Sequence, residues 1–382
     1  MMGNQFQAIA LTWVVLEELG SGLALGTILM AASIPRAVFM LAGGVVSDRL
    51  SPRKVMLFSN ASRCIIVLVL ALLIFSHQLE QWHLYLIMVA FGTVGAFYLP
   101  SMMSMIPVLI GRDRLETANS LVMGTMQFSS LVGPALAGIV VAAAGTAMAM
   151  SIDSATFAVA TITLLLMKGI AGTAKKPKSD TEEQGNPLQN LKEGLKYAWQ
   201  QPAIRGLLPL IMVVNFCFSG PVTVGLAARI HEISGEATSL GVVMTVIGGA
   251  GLFGSLLAGA LKLKKRGLIL LGLIGLLGVS LVVIGWANSI MAIALIAGLM
   301  GLASGLINVM MITWLQRISR PDMLGRVMSL DLFASAGLQP LSLALTGWLV
   351  DINSTLLFVG AGALTLLVTL VSFGNRQIRG ID

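Results

Sequence analysis

The sequence predicts an all-α polytopic membrane protein with twelve transmembrane helices in two parallel six-helix halves. Three observations carry this expectation. The 382 residues are 56% hydrophobic and only 11% charged, with a mean hydropathy of +0.90, whereas a soluble domain holds roughly 25% charged residues. Apolar runs of spanning length fall into two sets of six. Basic residues gather in alternate connections. A chain this apolar cannot cover its surface with polar groups and needs lipid as its solvent, which argues against a soluble enzyme or a nucleic-acid partner.

The apolar runs lie at 3–19, 24–47, 55–76, 84–110, 118–143 and 145–167, then at 206–228, 238–261, 267–287, 290–315, 327–350 and 354–374. A spanning helix takes about 20 residues, so twelve use roughly 240 and leave about 140 for connections. The 42 glycines suit close helix contact in lipid, where small residues let backbones approach. Between the two sets, Lys168 to Asn186 carries Lys175, Lys176, Lys178, Asp180, Glu182 and Glu183 with Gly and Pro, as a flexible linker does. Behind it, Leu188, Leu191, Leu195, Ala198 and Trp199 recur at helical spacing with Lys192, Glu193 and Lys196 between them. This spacing predicts an amphipathic helix over Pro187–Gln200, lying on the membrane surface. The expected organisation is a half at 1–168, a cytoplasmic linker with the surface helix at 169–201, and a half at 202–382.

Orientation follows from the cations. With the first connection (Gly20–Gly22) outside, the inner connections hold all but Arg36, Arg63 and Arg229 of the 24 Lys and Arg. Both termini are therefore expected inside, and the net charge of +7 records topology rather than a polyanion partner. An internal repeat supports two related halves. At one offset Gly92, Asp113, Leu115, Ser120 and Gly138 meet Gly301, Asp322, Leu324, Ser329 and Gly347; at a second, Leu25-Gly26 and Gly44 meet Leu240-Gly241 and Gly259. Both halves start from the same side, so the repeat is parallel.

Two motifs stand out. Gly44-Val-Val-Ser-Asp48-Arg49-Leu-Ser-Pro52-Arg53-Lys54 occupies the inner connection after the second span. Gly44 permits close helix contact, Asp48 can pair with Arg49 or Arg53, and the cations can face the negative end of a neighbouring helix. Such a cluster can latch the halves when the inner side is closed. The corresponding connection of the second half, Gly259 to Arg266, keeps Lys262, Lys264, Lys265 and Arg266 but has no Asp, so the latch is expected to be asymmetric. The fifth span carries Ser120, Ser129, Gly133-Pro134 and Ala137-Gly138, a row of small residues with a proline bend. The matching stretch of the eleventh span has Ser342-Leu343 in place of Gly-Pro.

Ionisable groups at membrane depth are costly and mark function by default. Arg36 follows Pro35 in the second span, Arg63 lies in the third, Asp153 in the sixth and Asp331 in the eleventh. These four are the candidates for proton coupling, with Arg36 and Asp331 expected to line the cavity. The competing reading is a structural Arg–Asp pair that never titrates. Asn4, Gln5, Trp13, Tyr98, Gln127, Asn215, Asn308, Trp314 and Gln339 are the candidate substrate surface, since aromatic faces beside a few polar groups suit bulky lipophilic compounds, cations included. An interhelical hydrogen bond explains each Asn or Gln equally well.

Other patterns are set aside. Gly249-x-Gly251-x-x-Gly254 has the spacing of a dinucleotide fingerprint but sits within an apolar span with no preceding strand, so helix packing explains it better. No phosphate-binding G-x-x-x-x-G-K-[ST] occurs. Cys64 and Cys217 offer neither a disulfide framework nor a metal pair. His77, His83 and His231 lack metal-ligand spacing. No metal or other cofactor is expected. Asn353-Ser-Thr is a formal glycosylation sequon close to the membrane.

The 44–54 segment resembles the loop signature of the major facilitator superfamily, with one extra residue before the basic pair. The fifth-span motif is similar to that superfamily's antiporter motif, with three glycines replaced by Ser120, Ser129 and Ala137. With "SIPRAVFMLAGGVVSDRLSPRKVML", "EGLKYAWQQPAIRGLL" and "WLQRISRPDMLGRVMSL", the chain resembles the drug:proton antiporter branch that includes bacterial macrolide and enterobactin exporters. The resemblance implies multidrug efflux by a multi-pass antiporter of the bacterial inner membrane. It implies alternating access, with proton entry balancing the exit of a lipophilic or amphipathic substrate, and a monomer driven by the proton gradient. Family members usually have a longer first helix with a Gly-Asp near its centre, where Gly3-Asn4 stands here. The first helix is therefore expected to be truncated, since Gly3 to Leu19 spans only about 25 Å. The alternatives are a dedicated exporter of a siderophore or lysophospholipid, or a non-transporting scaffold or sensor.

Overall fold

The computed structural model describes residues 2–49, 51–110, 115–167, 187–261, 265–320, 323–375 and 379. Among these every regular element is a helix. In order they are α1 Met2–Leu19, α2 Gly22–Arg49, α3 Pro52–Phe75, α4 Gln81–Ala96, α5 Tyr98–Ile110, α6 Leu115–Leu166 and α7 Pro187–Gln200. There follow α8 Pro202–Gly220, a π-helical segment Pro221–Gly225, α9 Leu226–Ser234, α10 Ala237–Ala260, α11 Arg266–Trp286, α12 Ile290–Ile318, α13 Leu324–Ala336, α14 Gln339–Ile352 and α15 Ser354–Phe373. The expected linker at 168–186 lies outside the described residues. So do Lys262 and Lys264.

Ten stretches among the described residues are long and apolar enough to cross a membrane, against the twelve expected. The difference falls in two places. Met2–Leu19 is not among the ten, and Thr117–Leu166 counts once where the sequence suggests two runs. At 52 residues, α6 would reach about 78 Å, more than twice a hydrocarbon core of about 30 Å. Its helical path breaks at Gly145, with φ 84° and ψ 169°, a conformation that is essentially glycine's alone. The surface helix forms over the predicted Pro187–Gln200.

Local chemistry sets several boundaries. Ser51 Oγ accepts the Lys54 amide at 3.3 Å with Pro52 in the first turn, a capped start to α3. Ser289 caps α12 through the Ala292 amide at 3.2 Å. Asn353 caps α15 through the Leu356 amide at 2.9 Å, which gives this residue of the formal sequon a structural use.

The chain divides into two compact units. Unit 1 comprises Met1–Pro177 with Ile230–Thr245, and unit 2 comprises Lys178–Arg229 with Val246–Asp382. The segment Ile230–Thr245 follows the linker in sequence yet groups with unit 1. Close backbone approach accounts for this: a Cβ built on Gly138 of α6 would lie 2.7 Å from the Ala237 carbonyl oxygen and 3.1 Å from Gly241 Cα. The row of small residues on the fifth predicted span thus serves helix contact. In unit 1, α6 packs on α1 and α3, and α2 on α4. In unit 2, α11 packs on α15 and α12, while α8 is flanked by α13, α14 and α15. Within unit 2, Gly254 of the discounted fingerprint meets the Leu302 backbone of α12, as the packing explanation requires.

Large apolar side chains such as Phe75, Leu166, Leu370 and Val371 are about seven-tenths exposed. On a soluble protein such a surface would aggregate; here it faces the lipid that the composition demands.

At the end of α8 a side chain stands in for a backbone bond. Ser342 Oγ of α14 accepts the Gly220 amide at 2.8 Å and donates to the Phe216 carbonyl at 2.6 Å. Gly220 and Phe216 are themselves an i to i−4 pair. The hydroxyl is therefore inserted as a rung of the α8 ladder, directly before Pro221 and the π segment, where helices bend.

Candidate functional site

Five polar residues of unit 2 line one cavity of about 290 Å³. Asn215 enters from α8, Ser304 and Asn308 from α12, and Asp331 and Ser335 from α13; the remaining walls are Leu, Ile, Val, Phe and Met side chains. The Asn215 amide donates to the Ile211 carbonyl at 2.9 Å, which ties it along its own helix. Asp331 is half-buried and is the only charged residue of the lining among the described residues. Among the described residues it has no hydrogen-bond or ion-pair partner. A carboxylate in an apolar wall, flanked by neutral amides and hydroxyls, can hold a cationic head while the wall takes its apolar body.

Unit 1 places its ionisable groups differently. Arg63 is 5% exposed, with its guanidinium carbon 4.8 Å from the Phe91 ring centroid and 5.5 Å from those of Tyr98 and Phe157. Gly95 leaves the space the guanidinium fills, because a Cβ there would overlap Arg63 Nη2. Three ring faces replace hydration of the cation, and Arg63 Nε has no hydrogen-bond partner. Asp153 is 0% exposed, and its Oδ2 is likewise unpartnered. Thr156 Oγ donates to the Asp153 main-chain carbonyl at 2.8 Å, and Gly3 of α1 packs onto both residues. Ser154 Oγ donates to the Cys64 carbonyl at 2.9 Å, tying α6 to α3 beside this cluster.

The remaining predicted residues divide by contact. Tyr98 belongs to the Arg63 cage. Trp13 is 2% exposed; its Nε1 donates to Glu17 Oε1 at 2.7 Å, and its ring meets the edge of His231 at 5.0 Å between centroids. Gln5 fills the space left by Gly133, where a Cβ would lie 2.6 Å from Gln5 Cγ. Ser129 and Pro134 are buried in α6. Trp314 is buried and lines a small crevice with Arg266, which shares Met311 with the cavity wall. Asn4, Arg36, Gln127 and Gln339 are exposed.

Of the latch motif, the side chains of Gly44, Asp48 and Arg49 lie outside the described residues. Lys54 is exposed. Arg53 bonds the end of α6, with Nε donating to the Leu164 carbonyl at 3.0 Å and Nη2 to the Leu165 carbonyl at 3.1 Å. This is a cation on the carbonyl end of a helix, the placement its chemistry suggests.

The sequence reading missed Ser304 and Ser335 as cavity residues. Each stands four positions from a residue that was singled out, Asn308 and Asp331, and so shares its helix face. That periodicity was the signal available for finding them.

The family model described as Major Facilitator Superfamily matches residues 1–338. The chain belongs to the major facilitator superfamily. Among this facilitator's relatives, multidrug efflux pump Tap of Mycolicibacterium fortuitum is 26% identical over 393 residues, covering 100% of this chain and 94% of that protein. Macrolide efflux protein A of Streptococcus pyogenes is 22% identical over 381 residues, covering 98% and 92%. The facilitator fold is shared with solved transporters of low identity. Nucleoside transporter NupG aligns with a TM-score of 0.78 at 13% identity, covering 98% of this chain and 96% of that one. A POT family transporter aligns at 0.73 and 13%, covering 98% and 93%. The chain is therefore a multi-pass membrane protein of a transporter family.

Proposed function

We propose that this facilitator exports amphipathic compounds across the bacterial cytoplasmic membrane by alternating access, coupled to proton entry. The observation that carries the reading is Asp331, a carboxylate without a described partner on the wall of an otherwise uncharged cavity. Burying such a group is costly, and its natural partners are a cationic substrate head or a proton. The favoured substrate class is a lipophilic compound with a protonated amine, held by Asp331 and oriented by Asn215 and Asn308. Relatives named for multidrug and macrolide efflux support export of bulky apolar compounds. Asp153 and Arg63 are the second candidate for proton movement. In this reading the chain crosses twelve times, with Met2–Leu19 as the first crossing and Leu115–Leu166 as two, and both termini face the cytoplasm. It works as a monomer, performs no covalent chemistry and needs no cofactor beyond the proton gradient.

Proteoliposomes with an imposed pH gradient test this. Gradient-dependent movement of a cationic dye or a macrolide is expected, lost in Asp331→Asn and in the latch variant Asp48→Asn. Movement indifferent to the gradient and to Asp331→Asn would sink the coupling claim. Loss with Asp48→Asn alone would remove Asp331 from the path.

A further inference from the structure

The surface helix α7 has two faces with different neighbours. Its inner face is committed to unit 2: Tyr197 and Ala198 are buried, and α7 packs against α8 and α13. Tyr197 Oη accepts the Arg320 amide at 3.2 Å, and Glu193 pairs with Arg326 at 3.0 Å. Its outer face is apolar yet exposed, with Leu195 at 52% and Trp199 at 68%, four positions apart and so on one ridge. Cations flank that ridge. Lys196 is exposed, and the Arg205 guanidinium carbon stands 6.0 Å from the Trp199 ring centroid.

The position of this ridge identifies what it meets. The candidate span that follows begins at Ile204, so Trp199 sits about one turn before the chain enters hydrocarbon. That is the depth of lipid headgroups, where tryptophan is enriched. An apolar ridge bordered by basic residues complements an anionic lipid surface, with acyl-chain roots for Leu195 and Trp199 and phosphate for Lys196 and Arg205.

We propose that the outer face of α7 is a docking site for anionic lipid headgroups, with Leu195 and Trp199 lodged in the interface and Lys196 and Arg205 on the phosphates. Its inner face is bound to α13, five residues from Asp331 at Arg326, so the bound lipid braces a wall of the cavity. A water-soluble protein partner on the same ridge is the competing occupant.

A nitroxide on Leu195→Cys, in the full chain carrying Cys64→Ser and Cys217→Ser, tests this without any transport measurement. The site can therefore fail or stand independently of the export reading. Collision with oxygen reports lipid, and collision with a water-soluble nickel complex reports solvent. In vesicles of phosphatidylcholine mixed with phosphatidylglycerol the label is expected to be oxygen-accessible and shielded from nickel. In phosphatidylcholine alone, or with Lys196→Gln and Arg205→Gln in mixed vesicles, it is expected to move toward water. Each basic residue near such a surface is worth about fivefold in occupancy. A second label at Gln200→Cys, on an exposed position off the ridge, guards against a disturbed helix by staying nickel-accessible throughout. A label at 195 that stays in water in mixed vesicles, as a protein-docking face would, overturns the site. Equal shielding in both lipids overturns the anionic preference.

Discussion

The two units hold membrane-depth charge in opposite ways. In unit 2, Asp331 stands on an open cavity with no protein partner among the described residues. In unit 1, Arg63 and Asp153 are sealed, the cation between three aromatic rings and the anion against α1. A charge on a cavity can be satisfied by what enters. A charge in a cage is held by the fold, the Arg63 cation by its rings and Asp153 by burial with Oδ2 unpartnered, so its removal costs stability before it costs binding. On the function proposed above, the difference separates a site from a structural pillar, although both look alike as ionisable residues in apolar sequence.

The largest effect expected is on the pillar. Arg63→Leu loses three cation–π contacts and leaves rings facing a misfit, and about 2–4 kcal/mol of stability should go with it. Thermal unfolding in detergent measures this, and a variant as stable as the parent would remove the pillar reading. Next comes the close approach of α10 and α12. A side chain on Gly254 meets the Leu302 backbone, so Gly254→Leu should cost about 1–3 kcal/mol, read in the same assay. Asp331→Asn sharpens the contrast from the other side. Its unfolding should match the parent, while affinity for a cationic dye falls roughly tenfold, about 1.4 kcal/mol. Fluorescence titration measures the affinity, and a fall in stability without a fall in affinity would place Asp331 with the pillars. Arg53→Gln should cost about 1 kcal/mol by freeing two carbonyls at the end of α6. The smallest effect belongs to Glu193→Gln. Its partner Arg326 and Glu193 itself are partly exposed, and such pairs are worth about 0–1 kcal/mol.

Legibility in the sequence follows the same divide. The surface helix was readable to its ends, because spacing and polarity change together at Pro187 and Gln200. Asp331 was readable because a lone carboxylate in apolar sequence has few explanations. The fate of the aromatics was not readable. Tyr98 and Trp13 have the composition of a binding surface, but Tyr98 serves Arg63, 35 positions earlier, and Trp13 serves Glu17 and His231. No local pattern distinguishes a ring that lines a cavity from one that fills a contact. Ile230–Thr245 joining unit 1 was hidden for a related reason: the contact depends on glycines in two distant segments, each common in this composition. Half of the difference in span count arises because Gly145 interrupts the helical path of Leu115–Leu166 at a single residue; the other half is Met2–Leu19, which is not among the ten spans.

Ser342 carries a consequence for which sequences can occupy this fold. Its hydroxyl must both accept from Gly220 and donate to Phe216, and only serine and threonine offer both roles on so short a stem. With alanine the Gly220 amide and the Phe216 carbonyl would have to close directly on each other as an ordinary helical bond, losing the tie to α14, and a larger residue would wedge α14 away from α8. Position 342 is therefore closed to almost all single-step drift. The passage of α8 into the π segment is tied to a residue more than a hundred positions downstream, and variation at one is legible only with the other in view.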